Sequence, residues 1–484
     1  MSQITIAWIA LPFFIGFLIY LIPQISRGIA LIMVLASTAY AGQILATSSS
    51  FNLQLLDDFG VSLMIDGLSG FFILTNALVT AAVIIYCWGS DKTAFFYMQI
   101  IILHGSVNAT FICADFISLY VALEVMGVAT FLLIAYPRTD RSIWVGLRYL
   151  FVSNTAMLFY LVGAVLVYQA HHSFNFIGLR GSPPEAVALI FIGLLVKGGI
   201  FISGLWLPLT HSESESPVSA MFSGIVVKAG VFPLVRCALM LEEIDPIVRF
   251  FGVSTALLGV GYAVFEKDTK RMLAFHTISQ LGFVLAAPVV AGFYALTHGL
   301  VKSALFLIAG VLPSRSFKQL QHQPINISIW MALVVASFSI SGFPLLSGFG
   351  AKVLSSKNFL PWQEIAMNIA ALGTAISFAK FIFLPYKRIR QKGNIRSGLW
   401  TAMVILLGGL IAANGFYYQA YTVKNIVKPL ATIALGWLIY LLVFQKLVIK
   451  LPRIAEEFDH LIGVMVLMVI ALFWMIWTQL HFSI

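Results

Sequence analysis

Four lysines stand in stretches that otherwise carry no charge: Lys197 in GLLVKGGIF, Lys228 in SGIVVKAGVFPLVR, Lys302 in HGLVKSALF and Lys352 in SGFGAKVLSS. A lone charge near the centre of an apolar helix costs about 2.5–3.5 kcal/mol on insertion scales, so four of them call for a use. Lysine can shed its proton when desolvated, whereas arginine keeps it. A row of buried lysines can therefore pass protons, where a row of arginines would only hold fixed charge. One carboxylate also lies well inside an apolar run, Glu124 in FISLYVALEVMGVATFLLIAY. It needs a counter-charge, and a lysine from another helix is the natural one.

Histidines extend the set with groups that titrate near neutral pH. His298 and Lys302 are four residues apart and share one helical face. His276, in RMLAFHTISQLGF, forms a polar stripe with Ser279 and Gln280 on an apolar helix. Three basic residues are read as structural instead: Arg148, Arg236 and Lys380 lie toward helix ends, where a long side chain can snorkel to an interface. Lys380 is kept as a possible auxiliary to proton movement. Glu213 and Glu215, in HSESES, are read as a solvated rim on the inner side.

Other chemistries fit poorly. No Ser/His/Asp set, metal-spaced histidine cluster or phosphate-cradling glycine loop is present, and His211-Ser-Glu-Ser-Glu lacks the second histidine of a zinc-protease helix. Cys87, Cys113 and Cys237 are scattered without a C-x-x-C pair, which disfavours thiolate-held clusters or zinc. No cofactor and no metal site is expected, and the chain is not expected to be catalytic alone.

The elements that position these residues follow from composition. Of 484 residues, 60% are hydrophobic and 10% charged, against roughly 25% charged in soluble domains. The chain therefore reads as an all-α, polytopic membrane protein, with its opening segment retained as a first helix. Runs of about 20 apolar residues number sixteen, from 4–22 to 461–479. With the N-terminus outside, seventeen Lys and Arg fall on the inner side and five on the outer, leaving seven of the 29 inside helices. The acidic loop with Asp57, Asp58 and Asp66 falls outside. That bias is the positive-inside rule. It predicts both termini on the outer face and makes the net charge of +10 a topology signal rather than a nucleic-acid surface.

Two helices look broken. Pro208 and a polar run follow Lys197, and Gly342, Pro344, Gly348 and Gly350 precede Lys352. Freed backbone groups at membrane depth are tolerated where protein or water satisfies them, and discontinuous helices mark ion pathways in transporters. In each half a lysine beside a break is followed by one in the next helix, Lys228 and Lys380 respectively. The broken helices are the seventh and the twelfth. An odd offset of five predicts halves inverted relative to each other.

At these residues the chain resembles the antiporter-like subunits shared by Mrp-type cation/proton antiporters and the membrane arm of respiratory complex I. The resemblance covers about residues 66–385. It rests on LEVMG, LLVKGGIF, LWLPLTHSESESPVSA, SGIVVKAGVFPLVR, EKDTKRMLAFHTISQLGF, HGLVKSALFLIAG and SGFPLLSGFGAK. It implies a core of fourteen helices (fourteen to sixteen in all), with two inverted five-helix repeats and a polar axis through the membrane centre. It implies that Glu124 pairs with Lys197, that Lys228, His276, His298 and Lys302 relay protons laterally, and that Lys352 serves the second half-channel. The corresponding divisions are 1–93, 94–240, 241–385 and 386–484. AFHTISQLGF and the His211 segment are most similar to the Mrp D-type subunit.

The chain departs from the family pattern in three places. IFISGLW lacks the proline and histidine usual after the first broken-helix lysine. Leu345 replaces the second proline of GFPP, and Tyr294, still able to hydrogen-bond, stands where a second histidine is common. The implied activity is proton translocation within a multisubunit Na+/H+ antiporter. The alternatives are a pumping subunit of complex I or a membrane hydrogenase, the energising subunit of an inorganic-carbon uptake system, and a non-pumping scaffold. Expected partners are other membrane subunits, the lipid bilayer, H+ and Na+, in a bacterial or thylakoid-type membrane, and no nucleic acid.

Overall fold

A computed structural model describes residues 2–47, 50–56, 60–388, 398–447, 449 and 451–482. Asp57, Asp58, Arg390, Lys392, Arg396 and Lys450, which entered the comparison of the two faces, lie outside the described residues. All sixteen apolar runs are helical. The first six helices are α1 (Ser2–Leu21), α2 (Ser26–Thr47), α3 (Gly67–Tyr86), α4 (Ala94–Thr110), α5 (Phe116–Ile134) and α6 (Asp140–His171). The seventh run comprises α7 (Pro184–Gly198), a 3-10 stretch (Phe201–Trp206) and α8 (Leu207–Glu213); the eighth comprises α9 (Ser216–Met221), a π-turn (Phe222–Val226) and α10 (Val227–Met240). Then come α11 (Asp245–Phe265), α12 (Thr269–Ala286), α13 (Ala291–Ala309) and the single turn α14 (Phe317–Leu320). The broken twelfth run is α15 (Ile327–Ser341) with α16 (Ser347–Lys357), and α17 (Pro361–Ile382), α18 (Gly398–Asn414), α19 (Val423–Ile439) and α20 (Phe458–Phe482) complete the chain.

Among the described residues, thirteen helical spans are long and apolar enough to cross a membrane. The other three runs fall short for visible reasons. α4 has 17 residues, α12 is diluted by Lys270, Arg271, His276 and Gln280, and α15 is cut short by its break. Side chains start several helices by accepting an otherwise orphaned backbone N–H: Asp115 from Ser118 at α5, Asp268 from Arg271 at α12 and Asn326 from Ser328 at α15. The strands are minor: β1 (Phe51–Gln54) pairs antiparallel with β2 (Ser62–Ile65), and β3 (Ile325–Asn326) pairs parallel with β4 (Tyr386–Lys387).

Every residue of α12 and α13 is buried, as is nearly all of α10. A helix apolar on all sides belongs in the interior of a bundle, and these three carry Lys228, His276, His298 and Lys302. Small residues bring neighbours close, as expected where lipid supplies no hydrophobic drive between helices. A Cβ on Gly259 of α11 would lie 2.4 Å from the backbone nitrogen of Ser279 on α12. The C-terminal helices pack onto this core, α18 on α3 and α13, α19 on α17, and α20 on α7.

Candidate functional site: a buried row of lysines and histidines

The first break is not at Pro208. That residue sits in the first turn of α8, where proline is tolerated. The helix ends instead at Gly199, whose φ of +66° is a left-handed conformation that glycine adopts without penalty. The N–H of Gly199 reaches Val196 O (3.1 Å) and that of Ile200 reaches Leu195 O (2.9 Å), a Schellman closure. The second break repeats it: Gly342 has φ +87°, its N–H reaches Ser339 O (3.0 Å), and that of Phe343 reaches Phe338 O (2.9 Å). Trp206 Nε1 donates to Val196 O at 2.9 Å, so an indole from the 3-10 stretch adds a second donor to the carbonyl that already accepts from Gly199.

Lys197 occupies the last turn of α7, where the helix dipole favours a cation. Its Nζ donates to Leu123 O at 3.1 Å and lies 3.8 Å from Glu124 Oε1. That oxygen has no hydrogen-bond partner among the described residues, so the pair is in electrostatic contact without being closed. The lysine side chain is 1% exposed and that of Glu124 28%, which leaves the carboxylate end open to one side. Gly127 makes room: a Cβ there would lie 3.1 Å from Nζ.

Lys228 is fully buried and has no carboxylate among the described residues within ion-pair distance. The preceding π-turn displaces two carbonyls, and Nζ donates to both, Ser223 O at 3.0 Å and Gly224 O at 2.6 Å. Lys302 is held in the same manner, donating to Leu273 O at 2.5 Å. His276 packs against Phe378 with ring centroids 4.7 Å apart. Both nitrogens of His276, and both of His298, lack a partner among the described residues. His298, Tyr294, Gln280 and Lys352 line one internal cavity of about 10 Å³, near the lower limit for a single water. Tyr294 donates to Gln280 Oε1 at 2.7 Å. Lys352 leans over the Phe283 ring at 5.6 Å and also lines a second pocket of about 70 Å³ with Ser356, Asn368, Asn425, Lys428 and Thr432.

His211 joins the row indirectly. Its ring stacks on Phe306 at 4.6 Å, and Lys302 Nζ lies 5.5 Å from the same phenyl ring. The ammonium of Lys380 caps the end of α11 through Ala263 O, Val264 O and Glu266 O. Arg236 pairs with Asp66, at the start of α3, and donates to Ser69 Oγ at 3.0 Å. Burial pushes the Asp66 carboxyl up, but Arg236 and Ser69 outweigh it and hold it below the usual range. Arg148 is half-buried against Trp144, 5.8 Å from the ring centroid. The rim carboxylates are ion-paired rather than merely solvated, Glu215 with Lys92 at 2.5 Å and Glu213 with Arg141 at 3.4 Å.

Sequence reasoning missed two polar features. The buried hydroxyls of Ser223 and Thr277 meet at 2.6 Å between Lys228 and Lys302. Their only trace in the sequence is that Ser223 and Gly224 stand five and four residues before Lys228. Farther out, Arg271 lies between Glu266 at 3.0 Å and Glu456 at 2.6 Å, tying the segment before α20 to the start of α12. Burial raises the Glu266 carboxyl, yet Arg271 and the N–H groups of Lys267 and Asp268 bring it below its ordinary value.

The arrangement is a file of titratable amines and imidazoles in a nearly dry interior, with one half-open ion pair at one end and two pockets meeting at Lys352 at the other. Comparisons with known proteins bear on what such a file does. Residues 113–377 match the model of the NADH:quinone oxidoreductase/Mrp antiporter transmembrane family. The chain is similar to the D-type subunit of the Na(+)/H(+) antiporter of Alkalihalophilus pseudofirmus, 25% identical over 89% of this chain and 98% of that one. Its fold is that of a chain in the archaeal membrane-bound sulfane sulfur reductase, a respiratory membrane complex (TM-score 0.75, 20% identity, 90% of this chain and 99% of that chain). It is also that of a chain in the Mrp complex from Dietzia sp. (TM-score 0.71, 19% identity, 94% and 98%).

Proposed function

The chain belongs to the NADH:quinone oxidoreductase/Mrp antiporter family, and from that premise we propose that this integral, multi-pass membrane protein is a proton-translocating subunit of a multisubunit Na+/H+ antiporter. The observation that carries the reading is the row Glu124–Lys197–Lys228–Lys302–Lys352 with His276 and His298. Its lysines lie on four separate helical runs, and three of them have no carboxylate partner among the described residues. An ammonium held by carbonyls alone is stabilised without a fixed counter-charge, which suits a site that fills and empties.

In this reading Glu124 and Lys197 set the loading of the first half-channel. Lys228, Lys302 and the two histidines carry protons sideways, and Lys352 hands them to the second half. Residues 94–240 and 241–385 are the two inverted units, flanked by 1–93 and 386–484, with both termini on the outer face. The repeated closure at Gly199 and Gly342 supports that division, and the D-type relative supports Na+ as the exchanged ion.

The test is Na+-driven proton movement in everted membrane vesicles holding the complete assembly. Lys197→Ala, Lys228→Ala and Glu124→Ala should each lower it at least about a hundredfold, the lower end of the range contributed by one positioned proton-transfer group. Full activity of Lys228→Ala, or of both Lys197→Ala and Glu124→Ala, would refute the wiring. The family also includes oxidoreductase subunits, and the sulfane sulfur reductase chain shares the fold, so the second reading is a redox-driven pump. Mass spectrometry of the intact complex separates the two, because a redox machine brings subunits that carry flavin or iron–sulfur centres.

A further inference from the structure

Between Lys228 and Lys302, where the file passes from α10 to the helices of the other half, the described residues place no carboxylate and no imidazole in hydrogen-bonding contact with either amine. They place a pair of hydroxyls there instead. Ser223 Oγ and Thr277 Oγ1 are 2.6 Å apart and fully buried. Lys228 Nζ lies 3.0 Å from the carbonyl of Ser223 itself. Thr277 Oγ1 and Lys302 Nζ both lie within 3.0 Å of one oxygen, that of Leu273. The hydroxyls touch each other, and each is linked to one amine through a carbonyl, Ser223's own for Lys228 and that of Leu273 for Lys302; the amines donate to these carbonyls and not to the hydroxyls.

The contact is the one hydrogen bond of the buried Ser223 hydroxyl among the described residues, but Thr277 does not need it. Thr277 already donates to the carbonyl one turn back, the usual resting place for a threonine within a helix. Ser223 is carried toward α12 by the π-turn, and such turns are frequent at functional sites. A hydroxyl is also the smallest side chain that donates and accepts at once.

We propose that Ser223 and Thr277 are the proton-transfer junction between the two half-channels. The inference rests on the proposed function and adds the group through which the halves communicate. When a proton crosses, an N–H bond of the Lys228 ammonium breaks and an O–H bond forms at Ser223. The proton of Ser223 passes to Thr277, and that of Thr277 passes to the neutral amine of Lys302. Lys228 ends one proton poorer and Lys302 one richer. Each hydroxyl keeps a single proton in reversed orientation, and rotation about the Cβ–O bond resets it. No electron is exchanged, and the same path serves the reverse direction. Repulsion between two ammonium groups in a poorly screened interior favours one proton on the pair over two, so the junction carries protons singly.

The experiment is Na+-driven proton movement in vesicles with the complete assembly, for Thr277→Val, Ser223→Ala, the double variant, Thr277→Ser and Lys228→Ala. Assembly and melting temperature are recorded for each. Thr277→Val and Ser223→Ala should each lower the rate about tenfold or more. The double variant should be no slower than the slower single one, since both interrupt the same step, and Thr277→Ser should recover at least half the wild-type rate. Wild-type rates in Thr277→Val and Ser223→Ala, with Lys228→Ala inactive, would overturn the junction and leave the proposed function standing. A wild-type rate in Lys228→Ala would overturn both. Failure of Thr277→Ser to recover, accompanied by lost assembly, would make the contact structural only and overturn the junction.

Discussion

The placement of Lys197 relative to Lys228 depends on how closely α7 and α10 cross, and a single methyl group tests it. At the crossing, Gly230 of α10 faces Gly198 of α7. A Cβ built on Gly230 would lie 2.2 Å from the Gly198 nitrogen, 2.7 Å from its Cα and 2.7 Å from the Lys197 carbonyl carbon. Ordinary contact begins at 3.4 Å, so Gly230→Ala must drive the helices apart by about 1.2 Å. All three neighbours are backbone atoms, so no side chain can swing away. Overpacking a close-packed interior costs about 1–3 kcal/mol even when side chains can adjust, and the expected loss here is at the top of that range or above. A displacement of about 1 Å at a reacting centre can lower a rate 10²-fold, and here it falls on the residue adjoining Lys197. The assay pairs melting of the detergent-solubilised assembly, read by intrinsic tryptophan fluorescence, with Na+-driven proton movement in vesicles. The control is Gly408→Ala in α18, where an added Cβ meets nothing within 4 Å; it should match wild type or gain the few tenths to 1 kcal/mol that alanine brings to a helix interior. If Gly230→Ala melts with wild type and transports at more than half its rate, the crossing does not set the spacing of the two lysines and the reasoning fails.

Glu124→Gln removes a charge 3.8 Å from Lys197. At an effective dielectric of about 20 that attraction is about 4 kcal/mol before screening of the partly exposed carboxylate, so transport should fall at least about tenfold, with Glu124→Asp intermediate; equal rates in all three proteins would show that the pair is incidental. Asp66→Asn strands the buried guanidinium of Arg236 and should destabilise the assembly by about 3–5 kcal/mol, seen as a lower melting temperature, whereas an unchanged melt would mean that water satisfies the arginine. The Glu266 carboxyl is held below its ordinary value, so its contribution to stability is complete above the usual carboxylate range and is lost as pH falls through the lowered value. Melting curves across the acid range should show that loss in wild type, and Glu266→Gln should melt lower at neutral pH with a flatter acid limb; parallel curves would refute the assignment. Trp206→Phe removes one of the two donors to Val196 O, the other being Gly199 N–H, and should lower stability by about 0.5–1.5 kcal/mol, measured in the same melt.

What was legible in the sequence follows from what an apolar background makes conspicuous. A lysine amid valine and leucine announces itself, which is why Glu124 and the four lysines stand out by residue type alone. Serines and threonines do not, because most of them bond the carbonyl one turn back, as Thr277 does. Nothing along the chain says that Ser223, 54 residues earlier, meets it from another helix. Arg236 shows the same limit with charge. A helix-end arginine reads alike whether it snorkels or pairs, and its partner Asp66 is 170 residues away. Pro208 misled in the opposite sense, drawing the break to itself when a first-turn proline starts a helix and Gly199 ends one.

The two breaks close with one motif but furnish their lysines differently, and the difference has a direction. Lys197 precedes its break and lies at the C-terminal end of α7, with a carbonyl and a carboxylate before it. Lys352 follows its break by ten residues, in the middle of α16, and its Nζ has no hydrogen-bond partner among the described residues and only the Phe283 ring beneath it. Helix dipole, carbonyl and counter-ion all support a charge at the first, and none of the three is present at the second. Under the proposed function a proton is held more firmly at Lys197 than at Lys352, which stands beside a pocket lined by Ser356, Asn425 and Thr432. Inverted repetition alone would make the two ends equivalent. The departure from equivalence lies in where each lysine stands relative to its glycine, and under the proposed function it makes Lys352 the end at which a proton is released.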